Sequence, residues 1–276
     1  MLKNIQIIWA LISNQIKMTW RIRVAAFFSI AMPLTMFFIY TYVFGQGNAQ
    51  VVPSIIGPLI VLTITGSSLY GIGMQLVTMR EEGSLRPYQM TPVKPIHLLL
   101  SRLITNYIIL LLVISIQLIL AFALFHVTPA SYALLFITIS IGAVSICSIG
   151  LLIASLVKST EEANIINQLT FFAILFLCGL TIPLNSLPKV LREIGLFLPP
   201  THLTIMISML LEHRPFGLRQ AVEFAGMIFS GICFFFTAIS LFRWDKTSEI
   251  HKNHRNIAII SMIPYIFFGI IVNIIK

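Results

Sequence analysis

Six stretches of this chain run long and apolar without a single charged side chain, and this pattern limits the fold more than any other feature. They are Val24–Phe44, Ser54–Thr78, Leu103–His126, Tyr132–Val157, Ala163–Ile182 and Phe224–Phe242. About 20 such residues suffice to cross the hydrocarbon of a bilayer. No water is available there to satisfy backbone N–H and C=O groups, so each stretch must close its own hydrogen bonds as a helix. Only 10% of the 276 residues are charged, against about 25% in soluble domains. The expectation is an all-α integral membrane protein with six spans.

The intervening segments organise the chain. Residues 1–22 carry helical periodicity, with Ile5, Ile8, Trp9, Ile12, Ile16 and Trp20 on one face and Lys3, Gln6, Ser13 and Lys17 opposite. Such a helix suits the membrane interface, or forms the polar start of the first span. Residues 23–242 hold the six spans. Within them, residues 183–221 are too long for a turn and too broken by proline to cross, so they read as short re-entrant helices on the outer side. Residues 243–276 form a basic tail followed by a seventh apolar run, Ile257–Ile275, which contains Pro264. That run is read as a further span or as an interfacial helix.

The net charge of +9 first suggests nucleic acid, but its distribution argues for topology. With the N-terminus in the cytoplasm, thirteen of the 18 lysines and arginines fall inside. Lys189, Arg192, Arg214 and Arg219 fall outside, and Lys276 lies at the far end. This is the positive-inside bias, and nucleic acid drops out as a partner.

Catalytic and energy-coupling patterns are missing from the sequence. There is no GxxxxGK[ST] phosphate loop, and the interiors of the apolar runs contain no Asp, Glu, Lys or Arg, groups on which ion-driven carriers depend. The single aspartate is Asp245. His251 and His254 have no carboxylate or Cys at helical spacing beyond Glu249, too few ligands for a metal site. Cys147, Cys178 and Cys233 lie far apart inside apolar runs and read as packing residues.

What remains is a polar island, Arg80–Arg102, between the second and third spans. Ser84 is expected to N-cap a short helix reaching about Met90, with Pro87 in its first turn. The island is a plain loop or a surface offered to a partner. Its sequence REEGSLRPYQMTPVKPIHLLLSRLI resembles the ABC type-2 permease family, membrane subunits of ATP-driven exporters, through Glu81, Glu82, Gly83, Thr91 and Pro92. A second resemblance, through Gly179, Pro183, Leu187, Pro188, Leu198 and Pro199, matches that family's signature before its last span. The likeness covers about Met1–Phe242.

The resemblance implies a permease that pairs with a second copy or a related permease and is driven by a cytoplasmic ABC ATPase subunit. ATP and Mg would then sit on that partner, with no catalytic, cofactor or metal residues in this chain. It implies residence in the cytoplasmic (inner) membrane of a bacterium, in contact with membrane lipid. It places the ATPase-coupling segment at residues 80–97, with Arg80, Glu81, Glu82, Gly83, Ser84, Leu85 and Arg86 as contacts. The second and fifth spans would line the pathway through Thr63, Thr65, Ser67, Tyr70, Asn164, Asn167 and Gln168, unless these only pack helices together. Uncharged spans favour an apolar or amphipathic cargo such as a drug, lipid or hydrophobic peptide. A polysaccharide exporter, or a stand-alone channel or scaffold with no ATPase, are the alternatives.

Overall fold

The computed structural model describes residues 2–21, 23–48, 51–179, 181–182, 184–215 and 217–245. The seventh apolar run and both tail histidines lie outside the described residues. Those described are helical, with no strand among them. In chain order they form α1 (Leu2–Arg21), α2 (Arg23–Ile39), α3 (Val52–Gly66), α4 (Met74–Glu81), α5 (Arg86–Gln89) and α6 (Pro95–Phe125). There follow α7 (Tyr132–Leu156), α8 (Thr160–Leu177), α9 (Lys189–Gly195), α10 (Pro199–Leu211) and α11 (Leu218–Ser240). A π-helical stretch, Ser67–Gly73, joins α3 to α4, and another, Tyr40–Phe44, extends α2.

Among the described residues, four stretches are long and apolar enough to cross a membrane: Val52–Glu81, α6, α7 and α11. The pair α9–α10, bent by 94°, makes a fifth if counted as one broken span. α2 contributes a shorter apolar stretch, Ile30–Val43. α8 opens on Glu161 and Glu162 and is only 18 residues long.

α7 is the hub of the bundle, and small residues explain why. Lipid tails give helices no hydrophobic reason to associate, so close backbone approach through small residues takes over. A Cβ on Gly231 of α11 would lie 2.9 Å from Ser145 Cα of α7, and one on Gly73 would lie 2.9 Å from the Gly150 carbonyl oxygen. The Ser68 hydroxyl donates to the Ile146 carbonyl at 2.6 Å. Polar side chains in otherwise apolar runs add cross-links. Gln117, fully buried in α6, donates through Nε2 to the Pro33 carbonyl of α2 at 3.1 Å and to the Thr63 hydroxyl of α3 at 3.2 Å.

One end of the bundle carries the turn between α6 and α7. His126 closes α6 in the left-handed conformation, φ 52°, and the Ser131 hydroxyl caps α7 by accepting from the Leu134 N–H. The Ala130 N–H donates to the Leu210 carbonyl, which ties this turn to the end of α10. α10 does not lie on a surface: Leu203, Met206 and Ile207 are buried, because Gly57 of α3 admits Ser208 and Gly142 of α7 admits Leu203. α9 stays outside, with Val190 and Ile194 exposed.

α11 begins earlier than its apolar run, at Leu218, and so takes Arg219 and Glu223 into the helix. Glu223 is buried, accepts from Arg219 Nε at 3.1 Å and faces His202 Nδ1 of α10 at 3.6 Å. A carboxylate at such a position is costly without partners, and the i, i+4 arginine supplies one.

Candidate functional site

The opposite end of the bundle holds the polar island, and its charges divide between two tasks. Arg80, at 2% exposure, points inward from the end of α4. Its guanidinium donates to the carbonyls of Ala154 and Val157, at the C-terminal end of α7. The last carbonyls of a helix lack internal partners and carry the negative end of its dipole, so a buried guanidinium fits there. Arg243, just past α11, joins it by donating to the same Val157 carbonyl at 2.8 Å. Burial pulls the Arg243 guanidinium below its ordinary range, and the Glu162 carboxylate works against that shift.

Glu81 also serves the fold. Its Oε2 accepts from the Thr160 N–H at 2.8 Å, at the N-terminal end of α8. Ser159 caps the same helix by accepting from the Glu162 N–H, and the Glu162 carboxylate accepts from the Lys158 N–H. At this end of the bundle α4, α7, α8 and α11 thus meet in one polar knot.

Beyond the knot the chain turns outward. Gly83 sits at φ +75°, a region that favours glycine, and its carbonyl accepts from the Arg86 N–H. Ser84 does not cap the short helix, contrary to expectation. α5 begins only at Arg86, and Leu85 occupies its N-cap position without a side-chain bond. The reason is packing: Leu85 is fully buried in a cluster with Leu76, Val77, Leu98 and Leu99, which leaves Ser84 exposed in the turn. Glu82, Ser84, Arg86, Pro87, Gln89 and Met90 face solvent, Met90 at 94% exposure. Lys94 and His97 then start α6, the Lys94 N–H donating to His97 Nδ1 at 3.3 Å.

The amphipathic α1 lies against the start of α6. Leu11 and Ile12 are buried, and Gln15 Nε2 donates to the Ser101 hydroxyl at 3.1 Å. Ile5 and Trp9 remain exposed. The apolar stripe is wide enough to be shared, one edge packed on the protein and the other left exposed.

The polar residues expected to line a pathway, on α3, its π-helical extension and α8, separate into three kinds. Thr63, Ser67 and Asn167 are bonded to neighbouring helices: Thr63 to Gln117, Ser67 to Asn106 Oδ1 at 3.0 Å, and Asn167 Nδ2 to the Leu69 carbonyl at 2.9 Å. That carbonyl lies in the π-helical stretch, where the wider turn breaks the regular ladder. Thr65 is buried, and its hydroxyl lacks a hydrogen-bond partner. Tyr70, Asn164 and Gln168 are exposed. Tyr70 meets Phe171 of α8 edge-on, 5.9 Å between ring centroids. Asn164 and Gln168, four residues apart, share one face of α8. The structure therefore brings Tyr70 to α8, uses Thr63, Ser67 and Asn167 to fasten helices, and leaves Asn164 and Gln168 on an open face. Sequence reading missed Asn106 and Gln117, although an amide inside an apolar run was itself a signal. It also missed Arg243 and Asp245, whose partners are far away in sequence.

A family model described as ABC-2 type transporter matches residues 6–211, more than half of the chain. The chain is 23% identical over 191 residues to the inner membrane transport permease YhhJ of Escherichia coli (strain K12). The alignment covers 68% of this chain and 50% of the relative. The protein of the same name from Shigella flexneri matches at the same identity over the same lengths. The chain thus spans about half the length of the curated relatives it matches.

Proposed function

Because this chain belongs to the ABC-2 type transporter family, we propose that it is the membrane subunit of an exporter driven by a separate ATPase subunit. The observation that carries this reading is the geometry of the island. Arg80, Glu81 and Leu85 are fixed into the bundle, and the residues between and after them are turned out to solvent. Such anchoring holds the outward face of the island in place on the bundle, and Met90 at 94% exposure is suited to fill a pocket in another protein. Movement of the docked partner would pass through the polar knot directly to the ends of α4, α7, α8 and α11.

In this reading the six spans are α2 with its π-helical extension, α3 through α4, α6, α7, α8 and α11. The N-terminus and the island face the cytoplasm of a bacterial inner membrane, and α9–α10 close the outer side. ATP and Mg bind the partner. Two such membrane subunits pair, and the open face bearing Tyr70, Asn164, Gln168, Leu169 and Phe172 lines the route between them. A mixed amide and aromatic lining of this kind suits an apolar or amphipathic cargo.

The test is co-purification. Tagged full-length chain should retain a P-loop ATPase, and Met90→Asp should weaken that association about thirtyfold, the loss expected of an interface hot spot of about 2 kcal/mol. Retention of the ATPase at wild-type affinity by Met90→Asp, or failure of any ATPase to bind the unmodified chain, counts against the proposal.

A further inference from the structure

α5 is a single turn of four residues, none of them buried. A helix this short does not hold itself together, since one turn fixes many dihedrals for very few hydrogen bonds. Its direction must therefore be set from outside. Two sets of contacts do this. Leu85 anchors its start, as described above, and Tyr88 packs against the same apolar cluster. The second set comes from residues 243–245, which lie beyond the region matched by the family model.

These three residues fold back beneath the island. Arg243 is fixed to the end of α7 through the Val157 carbonyl. Trp244 meets Phe242 edge-on, 4.9 Å between centroids, and both pack against the apolar cluster that also takes Leu85, Tyr88 and Val93. Asp245 then reaches α5. Its Oδ1 accepts from Arg86 Nε at 2.9 Å, and its Oδ2 accepts from Gln89 Nε2 at 3.4 Å. Arg86 and Gln89 are three residues apart, so they lie on one face of the turn. One carboxylate thereby holds both ends of the helix.

We propose that residues 243–245 are the seat of α5, and that Asp245 is a positioning residue that fixes the direction in which Met90 is presented. A lone exposed ion pair is weak. This one acts on an element with almost no rigidity of its own, through a carboxylate whose backbone is secured by Arg243 and Trp244. The seat stands on its own geometry; its consequence for coupling rests on the docking function proposed above.

The experiment uses the full-length chain in lipid nanodiscs, with Cys233→Ala removing the less buried native thiol and a spin label placed at Met90→Cys. Asp245→Asn should raise the mobile fraction of the label about two- to fivefold, the range that an exposed charge pair carries. Asp245→Glu, which keeps the charge, should restore the restricted spectrum, with the thermal midpoint of the bundle unchanged throughout. Superimposable spectra for the unsubstituted and Asp245→Asn chains would overturn the proposal, and so would equal mobility for Asn and Glu. A parallel pull-down of a P-loop ATPase separates the two claims. If the spectra behave as stated and no ATPase binds, the seat holds and the docking reading fails. If the ATPase binds and the spectra do not change, the reverse is true.

Discussion

Gly150→Val is expected to abolish recovery of folded protein, whereas Gly66→Ala is expected to be tolerated. A side chain at 150 would overlap the Ser68 carbonyl oxygen and lie 2.5 Å from the Ser68 hydroxyl. The obstructing atom belongs to backbone, so no rotamer change relieves it. Overpacking a tight core costs about 1–3 kcal/mol and occasionally more, and this position belongs at the upper end. α7 and the π-helical stretch would separate, and the Ser68–Ile146 bond with them. At Gly66, in contrast, the nearest neighbour of a new Cβ is Phe171, 4.0 Å away. Alanine there also removes the entropic disadvantage of glycine in a helix. Size-exclusion profiles of detergent-extracted protein read the outcome. A monodisperse Gly150→Val peak with an unchanged thermal midpoint contradicts the packing described.

Arg80→Met should also be severely destabilising, for an electrostatic reason. The methionine keeps most of the apolar stem but leaves the Ala154 carbonyl without its side-chain donor. Val157 retains Arg243. A buried acceptor left bare costs about 1–3 kcal/mol, and the favourable charge at the end of α7 is lost as well. Arg80→Lys should recover part of the loss, because a single ammonium has no planar fork with which to span two carbonyls. Thermal unfolding of the three proteins in detergent should therefore rank native, Lys and Met in descending order. Equal midpoints for native and Met would show that Arg80 is not part of the fold's polar knot.

The ordering of those variants bears on how far the sequence could be read. Where one physical rule dominates, the elements are legible. The uncharged run Tyr132–Val157 appears as a helix over Tyr132–Leu156, because hydrocarbon leaves the backbone no alternative. Ser84 went the other way: capping preference is worth about 1 kcal/mol, and burial of Leu85 outweighs it. Arg80 and Glu81 illustrate a broader limit. A charged pair at a loop entrance looks like a surface, and only the fold brings Val157 and Thr160 within reach of it. The π-helical stretch at Ser67–Gly73 has a sequence correlate in its glycines and hydroxyls, yet what makes it matter is Gly150 on another helix. Asp245 had no local signal at all, since its partners, Arg86 and Gln89, are more than 150 residues away.

The docking we propose sets the outward face of the anchored island against an ATP-hydrolysing partner. It is tested most directly by a photo-crosslinking amino acid at position 90, with a second placed at Tyr132 on the opposite end of the bundle. Position 90 should capture a polypeptide with a P-loop, and position 132 should not. No adduct at 90, or the same adduct at both positions, would contradict the account.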